Sequence, residues 1–256
     1  KMLRCGAWAV LCSAILCLPI VSSAEGEAVE FSQAESLLWL TDQLKTVKQP
    51  SVFTYQFERT GTLEPSFSDT VRFTVRALND DGMKTASMEF FTGERRFDVA
   101  AVASTNVNPV LKIYLQGDVY EMNRLTDPDA KSKERWRYFQ RRIKFALADT
   151  ATVEKTTITF EGREYAAHEV SFSPYIKDVK LSDPNLSNAS TRPLYDRLME
   201  KTYKVIVSDE LPGYLFRVET EVPPVSAGAE PLIREVLQLV DSNTLIDTKD
   251  SLTTGE

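Results

Sequence analysis

The chain has 256 residues, a formal net charge of −7 and 43% hydrophobic residues, enough apolar content for one sizeable globular core. The acidic balance excludes a general nucleic-acid binder, whose affinity depends on Lys and Arg neutralising phosphates.

The first residues are basic, with Lys1 and Arg4, and an uncharged apolar run follows from Ala7 to Val21. It ends at Val21-Ser22-Ser23-Ala24 and is followed by Glu25, Glu27 and Glu30. This is the layout of a secretory signal peptide, 1–24, cut after Ala24. A spanning helix needs ~20 apolar residues, so the run is short for a membrane anchor. Cys12 and Cys17 follow Leu11 and Leu16, where a lipidation site would want a small residue. All three cysteines, Cys5, Cys12 and Cys17, lie in the segment to be removed. The mature chain is then free of thiols and disulfides, at net charge −9. A cysteine-free exported chain suits a bacterial periplasm better than a eukaryotic secretory route.

Ser32-Gln33-Ala34-Glu35 has the form of a capping box, and Leu37, Leu40, Leu44 and Val47 continue it as one apolar helical stripe up to Pro50. The period then falls to two. Phe53, Tyr55 and Phe57 alternate with polar residues, as do Val71, Phe73 and Val75, then Ala86, Met88 and Phe90 across the Asn79–Gly82 turn. These are antiparallel strands with one buried face. A further strand is expected around Phe97 and Val99, and a loop from Ser104 to Pro109. The runs Leu111–Leu115 and Val119–Met122 flank Gln116-Gly117-Asp118 and read as two more strands. A second helix is expected from about Lys133 to Leu147, with Trp136, Phe139, Ile143 and Leu147 on one face.

Strands resume at Thr156–Phe160 and Tyr165–Phe172, before a polar loop from Asp178 to Thr191 and a short helix over Pro193–Glu200. The last strands are Thr202–Val207, Tyr214–Val222 and Leu232–Val240. One domain over 25–241 and a loose polar tail over 242–256 follow from this reading.

A helix leading into Phe53-Thr-Tyr55-Gln-Phe57, long hairpins, one mid-chain helix and a closing meander form a characteristic order. Together with the export signal and Ser208-Asp-Glu-Leu-Pro-Gly-Tyr214 leading into Phe216-Arg-Val-Glu-Thr220, it resembles the periplasmic LolA/LolB-like lipoprotein-carrier superfamily. The resemblance implies a mostly β, α+β fold. A strongly curved open antiparallel half-barrel is covered on one side by helices and receives acyl chains in its concave face. It carries over no functional residue.

Catalytic signatures are few. His168 is the sole histidine and shares its strand face with Val170 and Phe172, which places it at the edge of the core or cavity rather than in a catalytic pair. No nucleophile elbow or phosphate-binding glycine loop occurs. A two-carboxylate hydrolase site stays open, with no pair singled out. No metal site and no cofactor are expected. The segment 131–144 holds seven cations against Glu134 alone, in an acidic protein. Arg135, Trp136, Arg137, Arg141 and Arg142 are candidates for docking on an anionic membrane or an acidic partner, against the simpler reading of a solvated helix face. Phe57, Phe73 and Phe90 are candidates to line an apolar cavity, though such residues more often fill a core.

The leading expectation is a periplasmic, non-enzymatic binding protein for a lipid, lipoprotein acyl chain or other amphiphile. The alternative is an interaction module of the cell envelope, in assembly or stress sensing, with a filled core. A hydrolase comes third.

Overall fold

In a computed structural model, residues 30–126, 135–183 and 190–245 are described. The segment 1–24, the start of the basic run at 131–134, the middle of the 178–191 loop and the tail beyond 245 lie outside them. No helix among the described residues is long and apolar enough to cross a membrane.

Nine strands build one antiparallel sheet: β1 (Ser51–Thr60), β2 (Phe67–Leu78), β3 (Lys84–Phe90), β4 (Phe97–Thr105), β5 (Thr152–Phe160), β6 (Arg163–Phe172), β7 (Thr202–Val207), β8 (Leu215–Val222) and β9 (Ile233–Thr244). Their spatial order is β4-β3-β2-β1-β9-β8-β7-β6-β5. Two meanders are therefore joined where the first strand pairs with the last, from Ser51 opposite Thr244 to Thr60 opposite Arg234. The sheet is open, with β4 and β5 as its edges. Register shifts interrupt the β1–β9, β2–β3, β3–β4 and β7–β8 ladders. Each extra residue bends its strand and adds twist, so the shifts curve the sheet into a half-barrel.

Strand alternation holds as the sequence predicts. Phe53, Tyr55 and Phe57 of β1 and Val71, Phe73 and Val75 of β2 point to the buried face, while Gln56, Glu58 and Arg72 are exposed. The first helix departs from expectation. The capping box is present, with Ser32 Oγ accepting from Glu35 N–H at 3.0 Å and Glu35 returning the bond to Ser32 N–H. However, α1 (Gln33–Glu35) passes into a π-helical turn, Ser36–Leu40, and stops there. Leu44 and Val47 reach the core from turns, and Leu40 is left exposed.

The larger correction concerns 111–122. The two expected strands are instead one helix, α2 (Val110–Thr126). Asn108 caps it, its Oδ1 accepting from Val110 N–H at 3.0 Å, and Pro109 supplies the fixed φ that opens a helix. Buried Leu111, Tyr114, Leu115, Val119 and Met122 fall at helical spacing, and Gly117 is an exposed helical residue, not a turn. Short apolar runs with Ile, Val and Tyr do not distinguish strand from buried helix by period alone. The helix α3 (Arg135–Asp149) packs on α2 and buries Phe139, Ile143, Ala146 and Leu147. A short helix, α4 (Arg192–Met199), precedes β7. Residues 242–244, expected in the loose tail, complete β9.

Candidate functional site

The side chains of α2 cross the inner face of the sheet and divide it in two. On the β1–β4 side lies a chain of aromatic rings. Phe97, 42% exposed on the edge strand, is 4.8 Å from Phe90. Phe90 is 4.7 Å from Phe91, and Phe91 is 4.9 Å from Phe57. Phe57 meets Tyr114 of α2 at 6.4 Å. Phe91 holds this place with a φ of +65°, a conformation that costs an aromatic residue about 1–3 kcal/mol and persists only where its surroundings fix it. The guanidinium of Arg95 lies over the nearby ring of Phe67 at 4.4 Å.

Towards β7–β9 lies an ionic cluster, joined by Arg59 of β1 and bordered by a second group of rings in which Phe172 stacks on Tyr203 at 4.8 Å. Tyr114 donates to Glu235 of β9 at 2.9 Å and lies 3.0 Å from the Thr220 hydroxyl of β8. One turn along α2, Asp118 is paired with the fully buried Lys201 and accepts from Tyr203 of β7 at 2.6 Å. Glu121, a further turn on, accepts from Arg59 of β1 at 2.6 Å, and Arg59 also binds Glu235 through Nε at 2.7 Å. Burial alone would lower the pKa of Lys201, but Asp118, Glu121 and Glu235 outweigh it and raise that pKa. Arg59 is held up in the same way, with burial opposed by Glu235 and Glu121.

Glu121 is the unbalanced member. Burial and the neighbouring Glu235 push its pKa up to about 7 against the pull of Lys201 and Arg59. Its Oε2 is buried with no hydrogen-bond partner. The carboxylates of Asp118, Glu121 and Glu235 lie within 4.8 Å of one another, a spacing that could suit a metal ion. Arg59 pairs with Glu121 Oε1 and Glu235 Oε1, and Lys201 with Asp118 Oδ1, so the buried part of the cluster sets three carboxylates against two cations, while the exposed Arg124 lies 3.7 Å from Glu121 at its rim. One proton on Glu121 makes the cluster neutral, whereas a divalent ion would leave it positively charged in a buried site.

Phe57, Phe73 and Phe90 are all buried, at 2%, 0% and 4% exposure. Phe57 and Phe90 belong to the aromatic chain, and Phe73 stacks on Phe53 at 5.7 Å, to one side of it. A depression of about 480 Å³ on the outer face, lined by Ile206, Phe216 and Arg217 among others, touches none of the three. Of the basic candidates, Arg135 donates to the Thr126 carbonyl, Arg137 lies over Trp136, and Arg142 binds Pro174 O and the buried Asp178. Arg141 points outward from α3. His168 is half-buried on β6, opposite Val207.

Sequence reasoning missed the ionic cluster. Its one visible signal was Glu235, which occupies an inward position between Ile233 and Leu237.

Open nine-stranded sheet and covering helices together define an α+β half-barrel, the architecture that the LolA/LolB-like resemblance implies. No family model and no curated protein matches the chain. Among solved structures it is similar to LprF from Mycobacterium bovis, with 12% identity, 84% of this chain and 96% of that chain covered, and a TM-score of 0.32. It is also similar to a LolA superfamily protein from Nitrosomonas europaea, with 8% identity, 87% and 97% covered, and a TM-score of 0.20. Such likenesses carry no functional argument, and the fold rests on its own sheet and helices.

Proposed function

We propose that the chain is a non-enzymatic, periplasmic binding protein that takes an amphiphile, such as a lipid or lipoprotein acyl chain, between α2 and the concave sheet. The observation that carries this reading is the division of the inner face. Rings run from the exposed Phe97 to Tyr114, a path suited to methylenes at ~0.8 kcal/mol each. The path ends at Arg59, Lys201 and their carboxylates, suited to a polar head. Helix α2 closes the face with Asp118 and Glu121 where a helix that only filled a core would carry Leu or Ile. Buried ion pairs stabilise little relative to apolar packing, because their desolvation offsets their attraction. By the same logic, moving α2 aside returns these charges to water, which favours them. Among the described residues, the buried side-chain polar atoms without partners, on Gln116, Glu121 and Asn123, all belong to α2.

The test is thermal unfolding with lysophospholipids and an acylated peptide, combined with amide exchange over Val110–Thr126. A ligand should raise the melting temperature, by ~2.7 kcal/mol of added stability at a hundredfold excess over Kd, and change exchange in α2. If no amphiphile shifts the melting temperature, and protein from a bacterial envelope carries no lipid, the reading fails. An interaction module with a filled core is then the better description, favoured by the buried state of Phe57, Phe73 and Phe90.

A further inference from the structure

The segment between β6 and α4 combines firm anchoring with apolar exposure. Tyr175 and Leu181 are buried, at 0% and 1% exposure, while Ile176 and Val179 are exposed by 58% and 80%. Asp178, itself buried, is the anchor. It accepts from the backbone N–H of Lys180 and Leu181 at 2.9 and 3.0 Å, pairs with Arg142 of α3 at 2.9 Å, and accepts from the Tyr138 hydroxyl. Lys177 takes a φ of +53°, turning the chain at the tip between the inward Tyr175 and Asp178. The tip is thus held in place with its aliphatic side chains outward, where loose loops carry polar ones.

The adjoining face of α3 continues the surface. Tyr138 and Arg142 contact the anchored segment, and Phe145, 55% exposed, lies one turn beyond on the same helical stripe. Arg141 and Lys144 are exposed beside it, and Lys177 and Lys180 are exposed on the tip. From Arg135 to Ala148 the helix has no Asp or Glu, and the sole acid from Pro174 to Ser182 is the buried Asp178. Among the described residues flanking these two stretches, the acids are the exposed Asp149 at the helix end and the half-buried Asp183 after the segment. A concentration of cations around exposed apolar tips, in a chain of net charge −7, makes this face complementary to an anionic surface.

We propose that α3 and the 174–182 segment form a docking surface for an anionic phospholipid bilayer, with Phe145, Ile176 and Val179 entering the headgroup region and the surrounding Lys and Arg meeting phosphates. A bilayer fits better than a folded acidic partner. A stable protein interface needs ~800 Å² of continuous surface on each side. Here separate apolar tips stand among long lysines, whose stems can follow the tips inward while their ammonium groups remain at the headgroups. The segment reaches the ionic cluster only through its buried side, where Tyr175 lies 3.4 Å from Tyr203, while Phe145, Ile176 and Val179 are exposed. Binding to vesicles is read separately from amphiphile uptake, so either reading can fail without the other.

The experiment is co-sedimentation of the protein with vesicles of phosphatidylcholine, alone or with phosphatidylglycerol, at low and high salt. Binding should need phosphatidylglycerol and weaken with salt. Replacing Arg141, Lys144, Lys177 and Lys180 by Gln should cost about fivefold per cation near the surface. The pair Ile176→Ser and Val179→Ser should weaken binding while leaving circular dichroism unchanged. In a Val179→Trp variant, emission should shift to the blue on anionic vesicles alone. Absence of binding to anionic vesicles overturns the proposal. So does binding that ignores both the serine pair and the four glutamines, or capture of an acidic protein without any vesicle binding.

Discussion

Replacing Glu121 by Gln tests the proton balance of the ionic cluster. The amide has the shape of the protonated acid and keeps an acceptor for Arg59, but it never becomes negative. Facing it are Arg59 from β1, Glu235 from β9, Lys201 ahead of β7, and Asp118 and the exposed Arg124 on its own helix. Its folded pKa of about 7 stands above the ordinary 4.5, so the native state holds a proton that the unfolded chain releases. The stability linked to that proton is complete below pH ~4.5 and is lost as pH rises through ~7. A difference of ~2.5 units, at ~1.36 kcal/mol per unit, corresponds to ~3 kcal/mol. The Gln variant should therefore match the parent near pH 5 and exceed it by up to ~3 kcal/mol at pH 8, or roughly 6–12 °C in melting temperature. Urea unfolding at both pH values measures this. A variant destabilised equally at pH 5 and pH 8 would refute the reasoning, since Glu121 would then act as an ordinary ionised partner of Arg59.

Lys201→Met should cost about 3–5 kcal/mol, because it leaves Asp118 buried without its cation; adding Asp118→Leu should recover most of that loss in the same unfolding assay. Phe73→Ala should cost ~3–5 kcal/mol if the packing around Phe53 stays filled, and a loss below ~1 kcal/mol would show that the site tolerates a void. N-terminal sequencing of the protein exported from a bacterial host should read from Glu25, and the melting temperature of that product should be the same with and without reducing agent.

Strands were legible because each carries its own period. The bounds Thr202–Val207 agree with β7 residue for residue, and β5, β6, β8 and β9 differ only at their ends. Helix α2 was not legible as a helix, because Leu111–Leu115 and Val119–Met122 match a buried strand as well as a buried helix, and Gly117-Asp118 imitates a turn. Only contact with four strands decides the matter. The cluster beneath it was hidden for a related reason. Arg59, Asp118, Lys201 and Glu235 come from four parts of the chain, and nothing local to Lys201 marks it as the most buried cation of the described residues. Arg142 shows the converse. It belongs to a run of cations that looks uniformly solvated, yet it is the one tied to the buried Asp178.

The pairing of β1 with β9 has a consequence for how the chain reaches this state. The two strands at the centre of the sheet are the first and the last in sequence, so the seam between the meanders has a high contact order and closes late. Each meander can form from its own hairpins. Until residues 233–244 are present, however, β1 offers a ten-residue edge and β8 an eight-residue one, both inner strands with alternating apolar faces. A chain that ends before β9 keeps two open edges of the kind that pair with other molecules. Aggregation during synthesis, rather than loss of a few terminal contacts, is the expected result of truncation there.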